Sequence, residues 1–205
     1  MPPVCAPQLA GGEAHSLWRG AIGGASLVGT PSRRETGGMS ILPQISLRTP
    51  LPFDILGAQV VVAGLGSAFE GVYGSVVVRD GAGHIVAESN LMGGGNGFSL
   101  FHSAFGLGTP TTPEGTVTVE GTNPSGLPEN AASVTVPVTF GRTLMGGTYS
   151  GFTLHTVVPG DTLSGIAQQF YGDPNEYGRI FTANRDILFD PNVIYPGEAL
   201  RIPFA

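Results

Sequence analysis

Fifteen carboxylates, four histidines and one cysteine are, beside the hydroxyl side chains, the groups of this 205-residue chain that could serve as acid, base, nucleophile or metal ligand. General acid–base work needs two such groups within hydrogen-bond reach of one substrate atom. Glu70 and Asp80 are the acids to weigh for a pair, but both sit among turn residues, Phe-Glu-Gly and Asp-Gly-Ala-Gly, where a carboxylate shapes a turn or is solvated. His84 and His102 stand singly in strand-like contexts, with no second ligand at a spacing suited to zinc. Cys5 has no cysteine to pair with and no ligand spacing around it, so it reads as an inert thiol in a loose N-terminus. Before residue 154 the chain offers neither a Ser-His nor a Cys-His arrangement, and the expectation is a protein that is not an enzyme.

One polar cluster remains. In VVPGDTLSGIAQQFYG, residues 157–172, a Gly-Asp-Thr turn follows a run of valines and precedes a helical pattern. Leu163, Ile166, Ala167 and Phe170 fall at i, i+3, i+4 and i+7, one stripe of a 3.6-residue helix. Asp161 or Thr162 can accept a hydrogen bond from the first turn's unpaired N–H groups. A second helix start follows, with Asp173 at the cap, Pro174 at the first helical position and Glu176 in the first turn. Tyr177, Ile180 and Phe181 form its apolar stripe, and it ends near Asn184 to Asp186. FTLHTVV before and NVIYPGEALRIPF after read as strands, the latter through alternating Leu200 and Ile202. The order is β-α-α-β, so both helices must pack on one face of a two-stranded sheet.

The preceding hundred residues are built differently. Val117 and Val119 alternate with Thr116, Thr118 and Glu120, and Val134, Val136, Val138 and Phe140 repeat the period of two. GSVVVRDGAGHIVAES is a hairpin closed at Asp80-Gly81-Ala82-Gly83, and 59–64 and 97–102 are further strands. Six or seven strands, no helix between 45 and 140, and Pro137 on an edge or bulge describe a β-sandwich. GRTLMGGTYSG, residues 141–151, ends the alternation and reads as a linker.

Composition narrows the partners. Charged residues make up only 12%, all nine basic residues are arginine, and the net charge is −6 without a basic patch, which argues against nucleic acid. No apolar stretch approaches the roughly 20 residues of a transmembrane segment. Residues 21–29 are a poor match to a signal-peptide core, because glycines interrupt them. Residues 1–40 read as a disordered arm, or as sequence before a natural start at Met39.

Two resemblances follow. ISLRTPLP, AFEGVYGSVVVRDGAG, GFSLF, GTVTVEGTNPSG and SVTVPVTF resemble the immunoglobulin-like domain of bacterial spore-germination and envelope proteins, which implies a sandwich without catalytic residues. VVPGDTLSGIAQQFYG, IFTANRD and IYPGEALRIP, spanning residues 154–203, resemble the LysM module. The expected architecture is two domains, an all-β immunoglobulin-like sandwich at 41–141 and a small α+β LysM module at 153–205, joined by a linker at 142–152.

LysM modules bind glycans containing N-acetylglucosamine, such as peptidoglycan and chitin. The resemblance places a shallow groove between Gly160, Asp161, Thr162 and Leu163 in the first loop and Pro191, Asn192, Val193 and Ile194 in the second. Backbone groups there would satisfy an acetamide, Leu163 and Ile194 would shelter its methyl, and Gly160 would permit close approach. What it implies is a non-catalytic cell-envelope protein without a cofactor, whose sandwich is a spacer or contacts another protein. An envelope location follows if the glycan reading holds; the lack of a clear export signal leaves the cytoplasm open. Two alternatives stand beside it: potassium binding, since DPNEYGRIFTANRDILFDPNVIYPGEALRIP is similar to the LysM of small bacterial potassium-binding proteins, and a structural adaptor role without sugar binding.

Overall fold

A computed structural model of the chain describes residues 45–93, 97–123 and 132–205. The readings of residues 1–40, of Cys5 and of the Pro124-Ser125-Gly126 turn lie outside the described residues.

Among the described residues eight strands form the N-terminal domain: β1 (Ile45–Thr49), β2 (Asp54–Leu56), β3 (Gln59–Ala68), β4 (Val72–Asp80), β5 (Ile85–Met92), β6 (Gly97–Gly106), β7 (Glu114–Gly121) and β8 (Ser133–Phe140). They make a three-stranded sheet, β1-β3-β6, and a five-stranded sheet, β2-β8-β7-β4-β5. The period-2 pattern decides which side chains meet between the sheets: Val60, Val62, Val76, Val78, Val117 and Val119 are all fully buried. Thr118 and Thr135, directly opposed on β7 and β8, face outward and share a hydrogen bond of 3.0 Å.

The strand count exceeds the expected six or seven because β2 has only three residues, too few to show a period. It runs parallel to β8, pairing with Val138–Phe140, so β8 is not the outermost strand. Pro137 still tolerates its place, because the β2 ladder begins one residue beyond it and its carbonyl accepts from Phe53 N–H at 2.7 Å.

The Gly/Thr-rich stretch after β8 is more structured than a linker. Gly141–Leu144 is a short helix, α1, and Leu144 is buried. A Cβ at Gly141 would lie 2.5 Å from the Tyr149 ring, so the glycine makes room for that aromatic. Partial burial raises the Tyr149 hydroxyl pKa above its usual value.

The C-terminal domain consists of β9 (Gly151–Thr156), α2 (Leu163–Tyr171), a 3-10 turn (Pro174–Glu176), α3 (Tyr177–Ala183) and β10 (Ala199–Phe204), with β9 and β10 antiparallel. Its core is separate from the sandwich core and gathers Val157, Leu163, Ile166, Ile180, Leu200 and Ile202. The second helix begins later than its cap pattern suggests. Asp173 accepts from Asn175 N–H at 2.8 Å and caps the 3-10 turn, and α-helical geometry starts only at Tyr177.

Phe170 and Tyr177, both assigned to apolar stripes by spacing, lie 40% and 41% exposed at the stripe edges. Phe170 instead meets His155 edge-to-face, with ring centroids 5.8 Å apart. α3 ends at Asn184, which is fully buried and ties the helix to the sheet. Its Nδ2 donates to the Ile180 carbonyl at 2.7 Å and to the Arg201 carbonyl at 2.8 Å, while its Oδ1 accepts from Arg201 N–H at 2.8 Å.

Candidate functional site

The first loop is organised by two neighbouring side chains that face opposite ways. Thr162 is the N-cap of α2, with extended backbone angles, and its Oγ1 accepts from Gly165 N–H at 3.1 Å. Asp161 is not a cap. Its Oδ2 turns back to accept from Val158 N–H at 3.0 Å and lies 2.9 Å from His155 Nε2. The Val158 amide, with His155 beside it, holds the Asp161 carboxyl below its usual pKa. Gly160 has φ +96°, a left-handed conformation that favours glycine, and nothing within 4 Å of its Cβ position. The left-handed turn accounts for the glycine within the protein itself.

The second loop is closed by Asp190. Its Oδ1 accepts from both Asn192 N–H at 2.8 Å and Asn192 Nδ2 at 3.0 Å, and its carbonyl accepts from Val193 N–H at 3.1 Å. Each loop is thus fixed by its own hydrogen bonds.

The two loops stand side by side and enclose a cleft of about 350 Å³ lined by Asp161, Thr162, Leu163, Ser164, Tyr177, Pro191, Asn192 and Ile194. Six of the eight residues expected from sequence line it, and Gly160 and Val193 do not. Ser164 and Tyr177 are additional. Leu163 is 3% exposed and belongs to the core, so it has little methyl-contacting surface to offer, whereas half-buried Ile194 and the Tyr177 ring provide the apolar wall.

The polar side of the cleft is set by the start of α2. Gly165 N–H is taken by Thr162 Oγ1 and Ile166 N–H by the Thr162 carbonyl. Leu163 and Ser164 hold the two first-turn positions whose N–H groups find no carbonyl within the helix. Two amide donors beside an aromatic ring and a small aliphatic wall can receive a carbonyl with an adjoining methyl. That is the chemistry of an acetamide.

Two family models match this chain: the LysM domain over residues 155–203, and the immunoglobulin-like domain of bacterial spore germination over residues 44–126. The C-terminal unit is a LysM domain, and the sandwich belongs to the spore-germination immunoglobulin-like type. β8 lies beyond the matched stretch, yet it pairs along the whole of β7.

Curated relatives are similar over short segments. Potassium binding protein Kbp of Escherichia coli O6:H1 is 55% identical over 49 residues, 24% of this chain and 33% of that protein. An uncharacterized protein of Deinococcus radiodurans is 48% identical over 54 residues, 26% of this chain and 21% of the relative. Esterase Rv1288 of Mycobacterium tuberculosis is 49% identical over 51 residues, 25% of this chain and 11% of its own length. The chain therefore spans a third or less of each of these relatives.

The remaining candidates sit in the sandwich, apart from the LysM cleft. Glu70, with φ +49°, occupies the reversal between β3 and β4. Asp80 is buried at the β4–β5 turn and accepts from Thr111 Oγ1 at 2.6 Å, Thr111 N–H at 3.0 Å and His84 N–H at 2.9 Å. The Thr111 hydroxyl, its amide and the His84 amide hold the Asp80 carboxyl far below its ordinary pKa, outweighing the opposite effect of burial. His84 Nδ1 is 3.3 Å from the same carboxylate, but Thr111 gives its hydroxyl proton to Asp80 and is not poised as a nucleophile. His102 is exposed on β6. Among the described residues no three His, Cys, Asp or Glu side chains gather to hold a metal ion, and no helix is long and apolar enough to cross a membrane.

Proposed function

We propose that this protein is a non-catalytic binding protein of the bacterial cell envelope, whose LysM cleft holds the N-acetylglucosamine-containing glycan of peptidoglycan. The observation that supports the reading is a cleft on a LysM domain lined by the first turn of α2 together with Tyr177 and Ile194. Leu163 and Ser164 N–H donate to the acetamide carbonyl, Ile194 and Tyr177 cover its methyl, and Thr162, Ser164 and Asn192 are placed to meet ring hydroxyls. LysM and immunoglobulin-like domains are in general binding modules, and the sandwich acts here as a spacer or as a surface for another protein.

One shallow site of this kind gives a weak complex, since a millimolar Kd corresponds to about 4 kcal/mol. Attachment to wall polymer then depends on several copies engaging one surface. Co-sedimentation with insoluble peptidoglycan tests the reading. Wild type is expected in the pellet and Asn192→Arg, which fills the cleft from an exposed position, in the supernatant. Equal pelleting of both proteins would reject the cleft, and release of soluble sugars from the wall by the chain alone would reject the non-catalytic assignment.

A second reading, potassium binding, is favoured by the 55% identity to the potassium-binding relative. It requires a heat signal or amide shifts on titration with potassium chloride that sodium chloride does not reproduce. A structural adaptor role instead requires a stable protein partner and no sugar-dependent shifts.

A further inference from the structure

The outermost strand of a sheet presents N–H and C=O groups without a partner strand, and such an edge pairs with other chains unless something blocks it. Among the described residues the sandwich has four edge strands, β1 and β6 on the three-stranded sheet and β2 and β5 on the five-stranded one. Three of them carry obstacles. β1 is five residues long, breaks register between Leu47 and Thr49, carries Arg48 and runs into Pro50. β2 has three residues and begins on Asp54. β5 shifts register against β4 near both of its ends, carries Glu88, and has its Val86 carbonyl taken by Gly108 N–H at 2.7 Å.

β6 has none of these devices. Its sequence, GFSLFHSAFG, contains no Asp, Glu, Lys, Arg or Pro, and His102 is its one titratable side chain. All ten residues pair with β3 in unbroken register, from Gly97 with Ala68 to Gly106 with Gln59, which leaves an uninterrupted edge of about 34 Å. Buried Tyr73, on the facing sheet, ties the strand down through Ser99 Oγ at 2.5 Å and the Leu100 carbonyl at 3.3 Å.

The face beside this edge is apolar as well. The period of two turns Phe101 into the core and its neighbour Leu100 outward, where Leu100 is 64% and Phe98 47% exposed. Leu65 of β3 stands directly opposite Leu100 on the same face. Scattered exposed apolar residues are ordinary, but these three adjoin one another and reach the open edge.

Charge decides the occupant. The chain carries a net charge of −6, so two copies repel wherever their acidic surfaces meet. β6 is the sandwich edge to which neither copy brings an acidic or basic side chain, whereas an acidic or basic peptide would find no charge there to pair with. An antiparallel strand is also its own complement about a two-fold axis, so a single surface serves both partners.

We propose that β6 is a self-association edge: two copies of this chain pair β6 against β6 in antiparallel fashion and join their three-stranded sheets into one of six strands. This is independent of the glycan reading of the cleft. Sedimentation equilibrium of the full chain from micromolar to millimolar concentration tests it, at about pH 8, where free histidine is uncharged. Wild type is expected to move from the mass of one chain to the mass of two. Leu100→Lys is expected to keep the wild-type melting temperature and to weaken association about tenfold or more, because each dimer would hold two lysines in one interface. Ile85→Lys, at an exposed position on β5, is expected to associate as wild type does. Wild type that keeps the mass of one chain throughout overturns the proposal, whether its β6 edge is covered by the chain itself or kept for a different protein. A dimer that Leu100→Lys leaves intact places the contact elsewhere and overturns it too, as does equal weakening by both lysines.

Discussion

Among single residues, the cleft depends on side chains that do not line it. Asn184 makes three buried hydrogen bonds that join α3 to β10. Asn184→Ala would leave the Ile180 and Arg201 backbone groups without partners, and a destabilisation of about 3 kcal/mol is expected in chemical denaturation of the LysM unit. The sequence displayed this asparagine only as part of a family pattern, because its bonds run to residues 4 and 17 positions away and leave no local period. Tyr177 was hidden for another reason. Its spacing with Ile180 and Phe181 fits an apolar stripe, and only the packing shows that the stripe's edge opens into the cleft.

Asp80 gives a prediction with a definite sign. Its pKa is lowered in the fold, so its contribution to stability is full above its unfolded value of about 3.9 and is lost as pH falls through the folded value. Thermal melting from neutral pH down to pH 2 should therefore show Asp80→Asn less stable than wild type at neutrality, with the gap narrowing below about pH 4. A gap that stays constant through this range would mean that the Thr111 and His84 bonds do not depend on the ionised carboxylate.

At the scale of elements, the strands of the sandwich and the order of the LysM elements were legible because long alternating and 3.6-residue patterns survive any tertiary context. β7 illustrates this, with Val117 and Val119 buried and Thr118 outward. β2 was not legible, since three residues paired in parallel to a distant strand carry no pattern of their own. The turn at Gly160 to Thr162 was legible as a helix start, but the division of labour was not. Only coordinates separate the cap, Thr162, from the turn-closing carboxylate, Asp161. Thr162→Ala should cost about 1 kcal/mol of stability through the lost cap. In amide hydrogen exchange the Gly165 N–H is expected to lose protection first. Unchanged protection there would assign the cap elsewhere.

At the scale of the molecule, two separate cores are bridged by a surface ion pair, Arg185 to Glu114 at 3.2 Å, with both side chains substantially exposed. Exposed pairs of this kind contribute at most about 1 kcal/mol, so Arg185→Ala should leave the melting profile nearly unchanged. The proposed function places an acetamido sugar in the LysM cleft, on the first-turn amides of α2. Backbone NMR of the full chain, titrated with N-acetylglucosamine oligomers into the millimolar range, tests it most directly. The predicted result is saturable shifts at Leu163, Ser164, Asn192 and Ile194, with the sandwich strands silent. Shifts confined to the sandwich, or none at the cleft amides at saturating sugar, would contradict it.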